Sequence, residues 1–330
     1  MAARKRIARD KKKSSWLKPA FWAFVFLALI FSVGFTVNTA RKAIWDGRGR
    51  INIVIDARDI YFLSFSPKEK KLLVVQTPQN VYIEAPHGFG SYPFGAIYDL
   101  GELEKKGGET LMLTAREFFA APVGAWMKLP QGQLEIRDSA SAKKELGQIL
   151  RQSFLPPGGG IQLKSNLTIV DQVRLWWAIK QVRADKVSFL NLEGNGIFSD
   201  LTLADESSVL TPNLSKLDSL LSPFLAEEGV RDELLKIEIL NSTGEAGLGN
   251  RVSRIISNLG GEVISIDNQE EKVDRCLIRV RKEEKGRKTA QRLQEIFNCN
   301  LTREETLESR VDLIFVVGRD YWQQLTKGER

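Results

Sequence analysis

Histidine and cysteine are scarce in this chain of 330 residues: His87 is the only imidazole, and Cys276 and Cys299 are the only thiols. One histidine leaves His-based metal clusters and a Ser/His/Asp triad poorly supported, and His87, followed by glycine, reads as a loop residue. Two cysteines are too few for a disulfide framework and lack metal-ligand spacing. They could pair in an oxidising compartment or remain two buried thiols, and the sequence leaves both open. No metal site is expected.

A basic body is also missing. The net charge of +7 sits almost wholly at the N-terminus, where residues 1–50 hold 12 Lys/Arg and 2 Asp/Glu. The other 280 residues carry 36 basic and 39 acidic side chains and are slightly acidic. The charge therefore gives no nucleic-acid surface, and no nucleic-acid partner is expected. It fits membrane topology and contact with anionic lipid instead.

What is present is one long run, residues 19–40, of 22 residues without a charge. As a helix it would be roughly 33 Å long, enough for a hydrocarbon core of about 30 Å. Trp16 and Trp22 stand near its entry, where indoles favour the interface. Eight basic residues precede it against Asp10, and Arg41, Lys42, Arg48 and Arg50 follow. The positive-inside rule then puts residues 1–18 in the cytoplasm and the bulk outside, as a single-pass protein of the cell membrane. A cleavable signal peptide competes, because Ala40 and Ala43 are small, but the run exceeds the ~7–15 residues of an h-region.

Beyond a juxtamembrane segment, residues 41–50, the chain has room for two domains. Apolar, β-branched runs predict strands at 51–55, 60–65, 72–75 and 81–83, with turns at Ser66-Pro67 and Thr77-Pro78. Helices are predicted at 109–120 and 171–183, with Pro156-Pro157-Gly158-Gly159-Gly160 as a loop or hinge between them. Adjacent Trp176 and Trp177 point about 100° apart on a helix, so one can be buried while the other is exposed, where it could stack on a sugar. A further helix is predicted near 214–228. Residues 235–317 then read strand, helix, strand, strand, helix, strand, the ferredoxin-like βαββαβ order, with two helices on one face of a four-stranded sheet.

The first turn of that last domain is Leu240-Asn241-Ser242-Thr243-Gly244-Glu245-Ala246-Gly247. Gly244 and Gly247 permit tight backbone geometry and Asn241 can satisfy local amides; the free amides at the helix start could also hold an anion. With Gly260-Gly261-Glu262-Val263-Ile264-Ser265 and the ending Val317-Gly318-Arg319-Asp320, this segment resembles the LytR C-terminal domain over residues 234–322. That module usually accompanies a LytR-CpsA-Psr domain. Residues 59–82, DIYFLSFSPKEKKLLVVQTPQNVY, are similar to the core of that domain, as are 89–101, FGSYPFGAIYDLG, the helix and strand of 109–129, and the helix after Ser165-Asn166-Leu167-Thr168. The resemblance covers 51–222 with pieces missing.

Active LytR-CpsA-Psr members use arginines to hold the diphosphate of a polyprenyl-linked glycan, with carboxylates for Mg²⁺, and transfer glycopolymer to the wall. Such a site needs cations against phosphate oxygens and a metal to neutralise developing charge. Where the family has Pro-Arg-Asp, this chain has Pro78-Gln79-Asn80, so two charges are lost together. Its Arg-x-Asp has become Ala57-Arg58-Asp59, and adjacent strand residues face opposite sides of a sheet. Arg58 and Asp59 are therefore weak catalytic candidates that are not expected to reach one pocket. Arg151 could be a remnant of a later arginine-rich stretch.

The resulting expectation is an α/β protein. It comprises a tail (1–18), a transmembrane helix (19–40), a linker (41–50), a degenerate LytR-CpsA-Psr-like domain (51–222), a linker (223–233), a LytR C-terminal-like domain (234–322) and a tail (323–330). The resemblance implies a bacterial envelope protein, and the missing site charges give the expectation of one without catalysis or cofactor that binds or organises wall glycopolymer or envelope partners. The alternative is a divergent Mg²⁺-dependent glycopolymer transferase or pyrophosphatase using Arg58, Asp59, Asp99 or Arg116. Transcriptional regulation is disfavoured by the acidic body and the short tail.

Overall fold

The computed structural model describes residues 39–130, 134–154, 163–204, 206–281, 287–304, 307 and 310–326, together with Phe21–Ala23, Phe26 and Gly34. The chain divides into two compact units, Met1–Ala43 and Ile44–Arg330. In the first, Phe21, Trp22 and Phe26 are exposed. Most of the apolar run 19–40 lies outside the described residues, as do the tail 1–18 and the Pro/Gly loop 156–160. Among the described residues no helix is long and apolar enough to cross a membrane.

The second unit holds two sheets. The first is built from β1 (Ile51–Asp56), β2 (Ile60–Ser66), β3 (Lys71–Thr77), β6 (Ala125–Lys128), β7 (Lys164–Ser165) and β8 (Val187–Asn191), in the order β7-β6-β1-β2-β3-β8. Between them run the hairpin β4 (Tyr82–Ala85) and β5 (Gly90–Pro93), with helices α1 (Ile97–Glu102), α2 (Gly107–Phe119), α3 (Ser139–Ser153) and α4 (Ile169–Gln181). A small hairpin, β9 (Phe198–Thr202) and β10 (Ser208–Pro212), precedes α5 (Leu214–Leu225) and α6 (Glu228–Arg231).

Every residue of β1 and β2 is buried, which is why both are largely apolar, broken only by Asn52, Asp56, Ser64 and Ser66. Alternation then divides them. Ile51, Ile53, Ile55, Tyr61, Leu63 and Phe65 pack with α3 and α4, while Val54, Ile60 and Phe62 pack with α1, α2 and α5 on the other face. The body is a three-layer sandwich. β1 runs antiparallel to β2 and parallel to β6, and β3 is antiparallel to β2 and parallel to β8. Four parallel strands, β1, β3, β6 and β8, therefore end at one edge of the sheet.

The second sheet contains β11 (Lys236–Asn241), β12 (Glu262–Asn268), β13 (Leu277–Arg281), β14 (Asn300–Glu304) and β15 (Leu313–Val317), in the order β12-β11-β15-β13-β14. Helices α7 (Leu248–Asn258), α8 (Lys288–Phe297) and α9 (Arg319–Thr326) share one apolar cluster with one face of it. The expected strands and helices are present with the helices on a single face, but β14 makes the sheet five-stranded where four strands were expected, α9 adds a third helix, and the ferredoxin-like arrangement is absent. β11 pairs directly and in parallel with β12, and β13 directly and in parallel with β14, so each is an adjacent βαβ unit with no strand between its members. β15 fills the gap, parallel to β11 and antiparallel to β13.

Cys276 and Cys299 form a disulfide. They stand one residue before β13 and β14, so the bond joins the starts of two neighbouring strands. The expected linkers are parts of the fold: Trp45 is buried in the body's core, and 223–233 comprise the end of α5 and α6, with Val230 buried.

Candidate functional site

The edge where β1, β3, β6 and β8 end carries two polar groupings, one on each face of the sheet. Crevices at the carboxyl ends of parallel strands are the usual ligand positions in open α/β sheets.

On the α3/α4 face, Arg58, Asp59, Tyr61, Gln76, Glu135, Ile136, Arg137, Phe189, Asn191 and Glu193 line a groove of about 400 Å³. Arg58 and Asp59 thus share one cavity, against the expectation from strand alternation. The reason is local: β1 ends at Asp56 and β2 begins at Ile60, so both lie in the hairpin turn, where the two-residue period does not apply. Gln76 Nε2 donates to Asp59 Oδ2 at 2.6 Å. Charges in the groove nearly balance, with Arg58 and Arg137 against Asp59, Glu135 and Glu193, and Arg137 pairs with Glu135 at 3.1 Å. Tyr61 opens onto it from the core, and burial followed by the Asp59 charge pushes its phenol up to about 12.

On the α1/α2 face, the Lys128 ammonium stands 3.2 Å from Asp56 and 2.7 Å from Asp99. It also lies 4.3 Å from the centre of the Tyr98 ring, a cation–π contact, with Lys164 at 5.8 Å from the same ring. Burial pushes the Asp56 carboxyl above its ordinary value, and Lys128 only partly offsets this. Burial also acts to lower Lys128, but the hydrogen bond to Asp99 and the charge of Asp56 outweigh it and lift the ammonium above the usual lysine value.

The motif positions Gln79 and Asn80 sit beside this edge in structural roles. Gln79 Nε2 donates to the Ala57 carbonyl at 2.7 Å, bracing the β1–β2 turn, and its own carbonyl accepts the Gly95 N–H at 3.0 Å. Asn80 is exposed, and its carbonyl accepts the Leu210 N–H.

The other candidates are dispersed. Asp99 is held by Lys128 on the opposite face from Asp59. Arg116 points into the second sheet's domain, 4.9 Å from the Phe297 ring and 5.1 Å from Tyr321. Arg151 is exposed in the last turn of α3. His87 caps the β4–β5 hairpin at φ +65°, its N–H on the Leu325 carbonyl, and burial lowers its pKa. Asn241 uses both ends of its amide inside its own turn: Nδ2 donates to Glu245 O and Oδ1 accepts from Thr243 N and Oγ1. Gly244 and Gly247 both take positive φ there, as that turn requires.

Mg²⁺ does not fit the donor set of this edge. Asp59 faces Gln76, and the ammonium of Lys128 already occupies the point between Asp56 and Asp99 where a divalent cation would bridge them. Among the described residues no group of three or more His, Cys, Asp or Glu side chains is placed to hold a metal. Sequence reasoning missed Asp56 and Lys128, although each is a lone charge closing an apolar strand. It also missed Glu135, Arg137 and Glu193, which reach the groove only through tertiary packing.

Residues 234–321 match the family described as LytR cell envelope-related transcriptional attenuator, so the C-terminal module is a LytR C-terminal domain. Solved structures of LytR-CpsA-Psr proteins match the chain at low similarity. TagT bound to LIIa-WTA is 14% identical, with 54% of this chain and 92% of that one covered and a TM-score of 0.39. TagV of B. subtilis is 12% identical, with 52% and 94% covered and a TM-score of 0.40. The LytR-CPS2A-psr family protein YwtF (TagT) with bound octaprenyl pyrophosphate lipid is 15% identical, with 54% and 91% covered and a TM-score of 0.37. No protein of curated function matches the sequence.

Proposed function

We propose that this is a membrane-tethered protein of the bacterial envelope whose body faces outward and binds or organises wall glycopolymer or envelope partners without catalysis. The observation that carries the non-catalytic reading is the chemistry of the sheet edge. Gln79, where the family places a guanidinium, braces Ala57, and the Arg58 groove holds more carboxylates than cations. A diphosphate would meet repulsion there where it needs paired arginines. The LytR C-terminal domain supports envelope residence, and the disulfide supports an oxidising compartment. Exposed Phe21, Trp22 and Phe26 in a charge-free run support the tether, because water does not favour such a surface.

Pull-down of the detergent-solubilised full chain with purified wall sacculi tests the reading. Retention is expected, and its absence together with no envelope defect on deletion overturns it.

One observation favours a residual enzyme: Arg58 and Asp59 do share a groove with Arg137. Mg²⁺-dependent hydrolysis of a polyprenyl diphosphate that disappears in Asp59→Ala would establish that alternative.

A further inference from the structure

The exposed surface of α4 (Ile169–Gln181) is unlike that of the other helices in the body. Ile169 is 50% exposed, Val173 40% and Trp177 58%. Spaced four residues apart, they form one ridge within an arc of ~80° at 100° per residue. Arg174 and Lys180 flank it, while the helix's only acid, Asp171, is completely buried. The face therefore offers apolar and cationic groups and no anion.

Asp171 shows where this face lies relative to the start of the body. Its carboxylate accepts the N–H of Ile44 at 3.1 Å and of Trp45 at 3.0 Å, besides capping its own helix through Thr168. Arg174 Nη1 donates to the Trp45 carbonyl at 2.8 Å. The segment that follows the apolar run is thus fastened to the first turn of α4. Three residues, 41–43, separate that run from Ile44, so the four steps from residue 40 reach at most ~14 Å at about 3.5 Å each. The headgroup layer takes up about half of that reach. Ile44, itself 44% exposed, adds to the apolar surface at this corner.

We infer that α4 is an interfacial helix: its Ile169–Val173–Trp177 ridge rests in the outer membrane surface, and Arg174 and Lys180 meet anionic lipid headgroups. An apolar ridge with basic flanks is the composition such helices use. The inference rests on the tether reading. It commits the exposed tryptophan to lipid instead of sugar.

The test uses the full chain reconstituted in vesicles of phosphatidylcholine with phosphatidylglycerol, carrying an environment-sensitive dye on one introduced cysteine and a quencher on the lipid tails. Val173→Cys should show a blue shift and lose more than half its emission, as should Phe26→Cys in the apolar run. Leu103→Cys, 78% exposed after α1, should keep its emission. Quenching at 26 without quenching at 173 overturns the α4 inference and leaves the tether standing. Quenching at neither position overturns both. Adding Trp177→Ser should weaken the response at 173 and leave 26 unchanged; an unchanged response at 173 removes Trp177 from the contact. A dye at 173 that responds to wall sacculi and not to lipid overturns the inference in favour of a polymer partner.

Discussion

Arg254 on α7 grips Asp218 on α5 with two nitrogens, Nε 2.6 Å from Oδ2 and Nη2 2.8 Å from Oδ1. The same guanidinium donates to the carbonyls of Glu117 and Phe118 at the end of α2, and Asn258 one turn on reaches Phe119 and Ala120. Tyr321 Oη donates to Glu117 at 2.7 Å. The two sheets are thereby joined by a planar, fork-shaped contact that lysine cannot reproduce.

Arg254→Ala should destabilise the protein by about 2 kcal/mol, because it leaves a half-buried carboxylate and two carbonyls without their donor. Arg254→Lys should fall between the two, since a point charge satisfies only part of the fork. Urea midpoints of the two variants check this, and equal stability of Arg254→Ala and the parent refutes it.

The Cys276–Cys299 bond closes a loop spanning a sequence separation of 23, which includes β13 and α8. Loop-closure entropy assigns it roughly 3 kcal/mol. The double substitution Cys276→Ser/Cys299→Ser should lower the urea midpoint accordingly, and reductant should lower the parent's midpoint but not the variant's. Thiol labelling of the denatured, unreduced parent should find no free sulfhydryl.

Two glycines should respond in opposite directions to alanine. A Cβ on Gly108, at the start of α2, would lie 2.0 Å from an indole carbon of Trp126, so Gly108→Ala should cost roughly 1–3 kcal/mol through displacement of that ring. Gly147 inside α3 has nothing within 4 Å of the same position, and Gly147→Ala should add roughly 0.5–1 kcal/mol from helix propensity. Thermal melts of the pair distinguish packing from propensity.

Tyr61 and Tyr98 should make the protein labile to alkali. Burial, with neighbouring carboxylates second, pushes both phenols up from 10.0 to about 12. A group whose proton is held more tightly in the folded chain contributes stability that is complete below the unfolded value and disappears through the folded one. Stability should therefore hold below pH 10 and fall as pH rises toward 12, with phenolate absorbance appearing together with unfolding. Tyr98→Phe should shift the alkaline midpoint upward; a non-cooperative titration well below 12 in the folded protein counts against the account.

The parts of this fold that could be read in advance were those where burial writes itself into composition. β1, β2 and β3 are largely apolar on both faces, so their positions agree with the runs to within a residue or two. β9, with the sequence FSDLT, and β14, NLTRE, are largely solvent-facing and carry no comparable pattern. Strand neighbourhood is not encoded in element order at all, so without a pattern to mark β14, two adjacent βαβ units read like a split one. Arg58 and Asp59 are a different case. They lie in a three-residue turn, where side-chain direction is set by the turn itself and not by the two-residue period of a strand.

The attachment of Ile44 and Trp45 to Asp171 also has a mechanical meaning. The first residues of the body are pinned at a buried carboxylate, and Trp45 is seated in the core behind them. Any pull on the preceding chain enters through that pin and passes into α4 and the central sheet. Loosening that pin would free the entry of the chain and the first turn of α4 at once, because one carboxylate serves both.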